Sequence, residues 1–216
     1  MADFLEKEKK IVIKIVYYGP ALSGKTTNLI ALHDLIRPGK RGELMTLETE
    51  GDRTLFFDLL PVLAGRSDSG YKIILKLFTV PGQVSHDATR KAVLSRTDGV
   101  VFVADSQVTQ SMNNAASFEN LEKNAGRVGI DFNILPLVIQ YNKRDLFDII
   151  SEEEVRALWK PTGIPVMFST ALLRVGVRET FSAVLRQTYN RLDRVLQLNN
   201  RLKIEEKDFL TLFHMG

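Results

Sequence analysis

One run of eight residues restricts the fold of this chain more than any other feature. Gly19-Pro-Ala-Leu-Ser-Gly24-Lys25-Thr26 follows the pattern G-x-x-x-x-G-K-[ST] and continues into Thr27. Before it, Ile11 to Tyr18 is β-branched and aromatic and reads as a strand. After it, Thr26 to Ile36 carries Leu29, Leu32 and Ile36 at helical spacing, and Pro38-Gly39 ends the pattern. Strand, glycine-rich loop and helix together make a phosphate cradle. Glycines let the backbone turn tightly, successive N–H groups point inward, and the helix adds its positive end. Gly19, Ala21, Leu22, Ser23, Gly24 and Thr27 would line the phosphates. Lys25 would reach the β- and γ-phosphates, and the Thr26 hydroxyl would ligate Mg²⁺.

The remaining pattern fits an α/β protein. Lys72 to Val80 alternates, with Ile73, Leu75 and Leu77 in phase, so one face of that strand is wetter. Gly99 to Ala104 and Leu135 to Tyr141 are near-continuous apolar runs, suited to central parallel strands covered on both faces. Shorter strands fit Leu44 to Leu47 and Pro165 to Phe168, which makes six with the strand before the phosphate loop. Helices fit 113–126, 151–158 and 176–196. The expectation is a mostly parallel six-stranded sheet with helices on both faces, its ligand at the carboxyl ends of the strands. Beyond residue 190 apolar residues mix with many charges. The division expected is 1–190 for the nucleotide-binding domain and 191–216 for a helical extension that packs on it or binds a partner.

Composition removes several alternatives. The net charge is only +3 and the basic residues are scattered, which argues against a nucleic-acid partner. There is no cysteine, so disulfides, zinc–thiolate sites, thiol catalysis, prenylation and palmitoylation are excluded. Ala2 stands where myristoylation needs glycine. No apolar run is long enough for a membrane span, and the charged N-terminus does not read as a secretory signal. The expectation is a cytoplasmic protein without a direct membrane anchor.

A second motif identifies the base. Asn142-Lys143-Arg144-Asp145 follows the Leu135–Tyr141 strand, about 120 residues after the phosphate loop. Guanine carries N1–H and a 2-amino group on one edge. The Asp145 carboxylate can accept both, whereas adenine would leave it unpaired, a loss of several kcal/mol, on the order of 10⁴-fold. Asn142 can bond N7 and tie the segment to the phosphate loop, and the Lys143 stem can lie over the base. The pair of motifs predicts GTP or GDP as the ligand. It argues against the rival reading, an ATP-dependent kinase or ATPase.

With these stretches the chain resembles the Ras-like small GTPases, and within them the bacterial MglA group that controls polarity and gliding motility. The resemblance rests on Lys14-Ile-Val-Tyr-Tyr-Gly-Pro, Gly24-Lys-Thr-Thr-Asn-Leu, Asp52-Arg-Thr-Leu-Phe-Phe-Asp, Thr79-Val-Pro-Gly-Gln, Asp98-Gly-Val-Val-Phe-Val-Ala-Asp-Ser and Val138-Ile-Gln-Tyr-Asn-Lys-Arg-Asp-Leu. It spans roughly residues 11–190. It implies the small-GTPase fold, GTP/GDP with Mg²⁺, and slow GTP hydrolysis that a partner accelerates. Ser169, Thr170 and Ala171 stand where such proteins place a backbone N–H against the guanine O6. Gln83 stands at the position that orients the attacking water, and the Gly82 N–H would contact the γ-phosphate. Arg53 matches an intrinsic arginine finger, worth about 10³–10⁵ in rate. Thr54 is then the candidate second Mg²⁺ ligand, with Thr46 and Thr49 as rivals.

One position departs from the wider family. Ras-like proteins have D-x-x-G where this chain has Thr79-Val-Pro-Gly82. Threonine is typical of the MglA group, and it removes a carboxylate from the surroundings of the metal, so weaker Mg²⁺ anchoring is expected. That leaves room for a module that holds nucleotide with negligible turnover. The resemblance further implies a protein that is monomeric alone and is recruited to a cell pole through partners. Those partners are a homodimeric Roadblock-fold activator of the MglB type and polar effectors of the RomR type.

Overall fold

In the computed structural model, the described residues are 2–48, 56–66, 70–82 and 87–212. The fold is organised around β2 (Lys10–Tyr18). Its odd-numbered side chains Ile11, Ile13, Ile15 and Tyr17 enter one hydrophobic core, and Val16 and Tyr18 enter a second on the opposite face. That two-sided burial is why its apolar character hardly alternates. Parallel neighbours flank it, β5 (Lys72–Thr79) on one edge and β6 (Gly99–Asp105) on the other. Parallel pairing continues through β7 (Leu137–Asn142) to β8 (Val166–Phe168). Beyond β5 the sheet turns antiparallel, with β4 (Phe56–Arg66) and then β3 (Met45–Glu48) at the edge.

Among the described residues the sheet has eight strands rather than the six expected. One addition is β4, whose Phe-Phe-Asp-Leu-Leu-Pro start does not keep a single period. The other is β1 (Asp3–Leu5), three residues paired antiparallel with Lys10 to Val12 of β2. A strand that short carries no period at all.

Helices cover both faces. α1 (Lys25–Leu35) and α5 (Val177–Leu196) bury Leu29, Leu32, Phe181, Val184 and Leu185 in the first core. α2 (Asp87–Leu94), α3 (Ser111–Arg127) and α4 (Glu152–Trp159) bury Val93, Leu94, Leu121 and Val155 in the second. Ser151 starts α4 with a complete capping box to Glu154. No helix among the described residues is long and apolar enough to cross a membrane.

The C-terminal segment folds back onto the first core. α5 runs unbroken across residue 190, and α6 (Leu198–Leu202) and α7 (Glu206–Leu212) follow. Leu198, Leu202, Ile204 and Phe209 are buried. The Tyr189 hydroxyl donates to the Ile204 carbonyl at 2.8 Å, and its ring centroid lies 5.3 Å from that of Phe209. Arg186–Glu206 at 2.9 Å and Arg201–Glu6 at 2.7 Å lie at the surface. The described residues of this segment pack on the domain, one of the two roles open to it.

Candidate functional site

The chain order places β5 and β6 on opposite edges of β2, so the loops leaving β2 and β6 part at their carboxyl ends. The phosphate loop occupies that crevice. Gly19, Leu22 and Gly24 have φ of 149°, 62° and 96°. Residues in that region turn consecutive N–H groups toward a common centre and build an anion-binding concavity. α1 begins at Lys25 directly behind it.

The residues of the loop fit phosphate. Lys25 is buried, and among the described residues its Nζ donates only to backbone oxygens, Gly19 O at 3.1 Å and Pro20 O at 2.6 Å. Its pKa is lowered from 10.5 to about 7, chiefly by burial and in part by the nearby Arg90, with Asp58 opposing the shift. A buried ammonium with carbonyl partners alone is short of negative charge, which phosphate oxygens supply. The Ser23 hydroxyl is buried and has no partner among the described residues.

The base-reading segment is joined to this loop by one side chain. Asn142, at the end of β7, donates from Nδ2 to the Ser23 carbonyl at 2.9 Å. Its Oδ1 accepts from the Ser169 hydroxyl at 3.0 Å and from the Ala171 N–H at 2.9 Å. A Cβ on Gly24 would sit 2.2 Å from Asn142 Nδ2, so no side chain fits there. The expected tie between the two motifs is thus present, and Ser169, Thr170 and Ala171 are brought to it. The Ala171 N–H is bonded to Asn142 in this arrangement. Lys143 has φ of 67°, and its Nζ pairs with Asp105 Oδ2 at 2.6 Å. Asp145 is exposed. Arg144 steadies the loop, donating to the Ile150 carbonyl at 2.7 Å and lying over the Phe168 ring.

The metal side of the site differs from what Thr79 suggests. Asp58 on β4 is buried, and three hydroxyls converge on its carboxylate. Thr26 Oγ1 donates to Oδ2 at 2.6 Å, Thr79 Oγ1 to Oδ2 at 3.0 Å, and Thr46 Oγ1 to Oδ1 at 3.0 Å. The Asp58 N–H donates to Thr79 Oγ1 at 2.8 Å. The carboxylate absent from position 79 is therefore provided from the adjacent strand, within hydrogen-bonding reach of the hydroxyl expected to bind Mg²⁺. Asp58 carried no motif signal. Its one mark is a carboxylate inside an apolar strand, and a buried acid needs partners. Among the described residues no group of three or more acidic or histidine side chains could hold a metal. Hydroxyls and phosphate oxygens suit Mg²⁺, which takes few protein carboxylates.

Gly82 lies against the phosphate loop: a Cβ there would meet Ala21 Cα at 2.2 Å and Ala21 N at 2.6 Å. Arg53, Thr54, Thr49 and Gln83 fall outside the described residues.

A profile of the Ras family matches residues 57–190. The chain belongs to the Ras family. The mutual gliding-motility protein MglA of Myxococcus xanthus (strain DK1622) is 48% identical to it over 178 residues, covering 82% of this chain and 91% of that protein. Ras-family proteins bind GTP and GDP with Mg²⁺ and hydrolyse GTP, and this chain is such a GTPase.

Proposed function

We propose that this GTPase is a switch in cell polarity and gliding motility. It would exchange partners according to whether GTP or GDP is bound. The observation that carries this reading is the approach of Gly82 to Ala21. A segment resting on the phosphate loop responds to whether a γ-phosphate is there.

In this reading the phosphate loop, Gly19 to Thr27, holds the phosphates, and Asn142, Lys143, Asp145 and Ser169 to Ala171 hold the base. Mg²⁺, when bound, neutralises phosphate charge; Thr26 and Thr54 are its protein ligands. Asp58 accepts the Thr26 hydroxyl hydrogen, which leaves the oxygen lone pairs free for the metal. Gln83 orients the attacking water, and Arg53 offsets the charge that develops during transfer. Residues 1–190 form the nucleotide-binding unit, and 191–216 form its extension. The switch segments, about 40–58 and 79–96, face a homodimeric Roadblock-fold activator of the MglB type and polar effectors of the RomR type. Those partners bring the monomer to a cell pole.

Phosphate release by the wild type, Arg53→Ala and Gln83→Ala, with and without the activator, tests the assignment. Each substitution is expected to lower stimulated hydrolysis by at least about 10²-fold. Unchanged stimulated rates in both would remove Arg53 and Gln83 from the catalytic set.

A further inference from the structure

Arg90, on α2, is the largest side chain among the described residues that is wholly withdrawn from solvent. A buried guanidinium must find acceptors for its fork. Here Nε donates to the Pro81 carbonyl at 2.9 Å, Nη2 donates to the Gly82 carbonyl, and Nη1 donates to Asn120 Oδ1 at 2.7 Å. The guanidinium carbon lies 5.3 Å from the centroid of the Tyr18 ring. So the buried cation grips two successive backbone carbonyls of the segment that begins at Thr79.

Its other end is held firmly. Asn120 on α3 also accepts from the Tyr18 hydroxyl and from Asn124 Nδ2, and it donates to Asp87 Oδ1 at 3.2 Å. Asp87 accepts from Asn124 Nδ2 at 2.6 Å and from Arg127 Nη1 at 3.1 Å. Asn124 is itself buried. The clamp thus connects the Pro81–Gly82 backbone to a network that joins β2, α2 and α3.

The geometry of a peptide gives this grip a consequence. The described chain has no cis peptide bond, so the Pro81 carbonyl and the Gly82 N–H share one plane and point in opposite directions. Holding the carbonyl toward Arg90 turns the Gly82 N–H away from it. The Gly82 carbonyl is held by the same guanidinium. We propose that Arg90 is a positioning residue for the γ-phosphate response, presetting the Gly82 N–H by clamping the Pro81 and Gly82 carbonyls to α3. It touches no nucleotide atom in this role. The proposal rests on the reading of Gly82 as the γ-phosphate contact. Lysine would keep the charge but lacks the fork that spans two carbonyls and Asn120.

The test compares nucleotides that differ only in the γ-phosphate. Arg90→Lys is titrated with fluorescent GDP and with a fluorescent non-hydrolysable GTP analogue, both with Mg²⁺, and single-turnover GTP hydrolysis is measured alongside. GDP affinity is expected within about twofold of wild type, while analogue affinity and hydrolysis each fall about tenfold, the worth of one charged hydrogen bond. Asn120→Ala, which leaves Arg90 in place and loosens its anchor, should show the same split at about threefold; it serves the test if Arg90→Lys does not fold. Equal weakening of GDP and analogue, the sign of a merely structural arginine, overturns the proposal. So do wild-type values for both variants. A wild type that binds GDP and analogue alike, with no Mg²⁺-dependent gain from the γ-phosphate, would sink the reading of Gly82 itself.

Discussion

Replacing Asp58 with asparagine isolates the charge at the centre of the threonine cluster while keeping its size. Thr26 and Thr79 donate to one carboxylate oxygen and Thr46 to the other. An asparagine can keep its oxygen toward Thr26 and Thr79 and turn its amide toward Thr46, whose hydroxyl can rotate to accept. The fold then loses only the difference between charged and neutral hydrogen bonds, about 1–2 kcal/mol over the cluster. The larger effect falls on the metal. Removing a partner that orients a ligand costs roughly 10–100-fold in metal affinity. The assay is release of fluorescent GDP across an Mg²⁺ titration. The expected result is a midpoint raised by that factor, with GDP affinity in the absence of Mg²⁺ little changed. Thr79→Asp in the Asp58→Asn background, which moves the charge to the neighbouring strand, should recover part of the loss. Thr79→Asp alone should destabilise, because two carboxylates would then meet at hydrogen-bond distance. An unshifted Mg²⁺ midpoint in a folded Asp58→Asn protein would refute the reasoning.

Three further outcomes follow from the same geometry. Gly82→Ala places a methyl 2.2 Å from the Ala21 Cα, which no rotation relieves; single-turnover hydrolysis should fall by about 10²-fold, read by phosphate release. Asn142→Ala strips partners from the Ser23 carbonyl, the Ser169 hydroxyl and the Ala171 N–H; at roughly 1 kcal/mol or more each, urea unfolding without nucleotide should show a loss of about 3 kcal/mol. Lys25 gives a pH signature, because burial lowers its pKa to about 7 in the absence of ligand. Above that pH the nucleotide-free lysine is neutral, while bound phosphate restores its charge, so binding takes up a proton. Affinity should fall by up to about tenfold per pH unit above 7, and calorimetry in buffers of different ionisation heat should register the proton. The folded-state pKa is depressed for a base, so the unfolded chain binds more protons between 7 and 10.5, and stability without nucleotide should rise across that window.

The central architecture was legible because its physics is local. Gly99 to Ala104 and Leu135 to Tyr141 read as covered strands, and β6 and β7 are buried at every residue. The alternation at Lys72 to Val80 became β5, with Ile73, Leu75 and Leu77 inward and Lys72 and Lys76 outward. α2 was not anticipated. Its eight residues bury Thr89 and Arg90 together with Val93 and Leu94, so a polar pair occupies half of its inward face. A pattern method scores those two as exposed. The Asn142 tie was legible as well, since one amide has both donors and acceptors to connect a phosphate loop with a base-reading loop.

The metal environment was not legible, and the reason is topological. Thr46, Asp58 and Thr79 are far apart in sequence but sit side by side on β3, β4 and β5. Thr46 is paired directly with Asp58, and Leu59 opposite Phe78 puts Asp58 beside Thr79. A motif read along the chain records only position 79 and finds a carboxylate missing. Read across the sheet, the same row contains that carboxylate one strand over, where it accepts from Thr79 and from Thr26 together. What the site requires is a negative charge at a place, and antiparallel pairing allows either of two strands to bring it there. The expectation of weaker metal anchoring counted position 79 alone, without the Asp58 carboxylate beside it. The threonine donates to Asp58 and accepts from its N–H, so the two form one hydrogen-bonded unit. Substitutions at the two positions should be strongly non-additive.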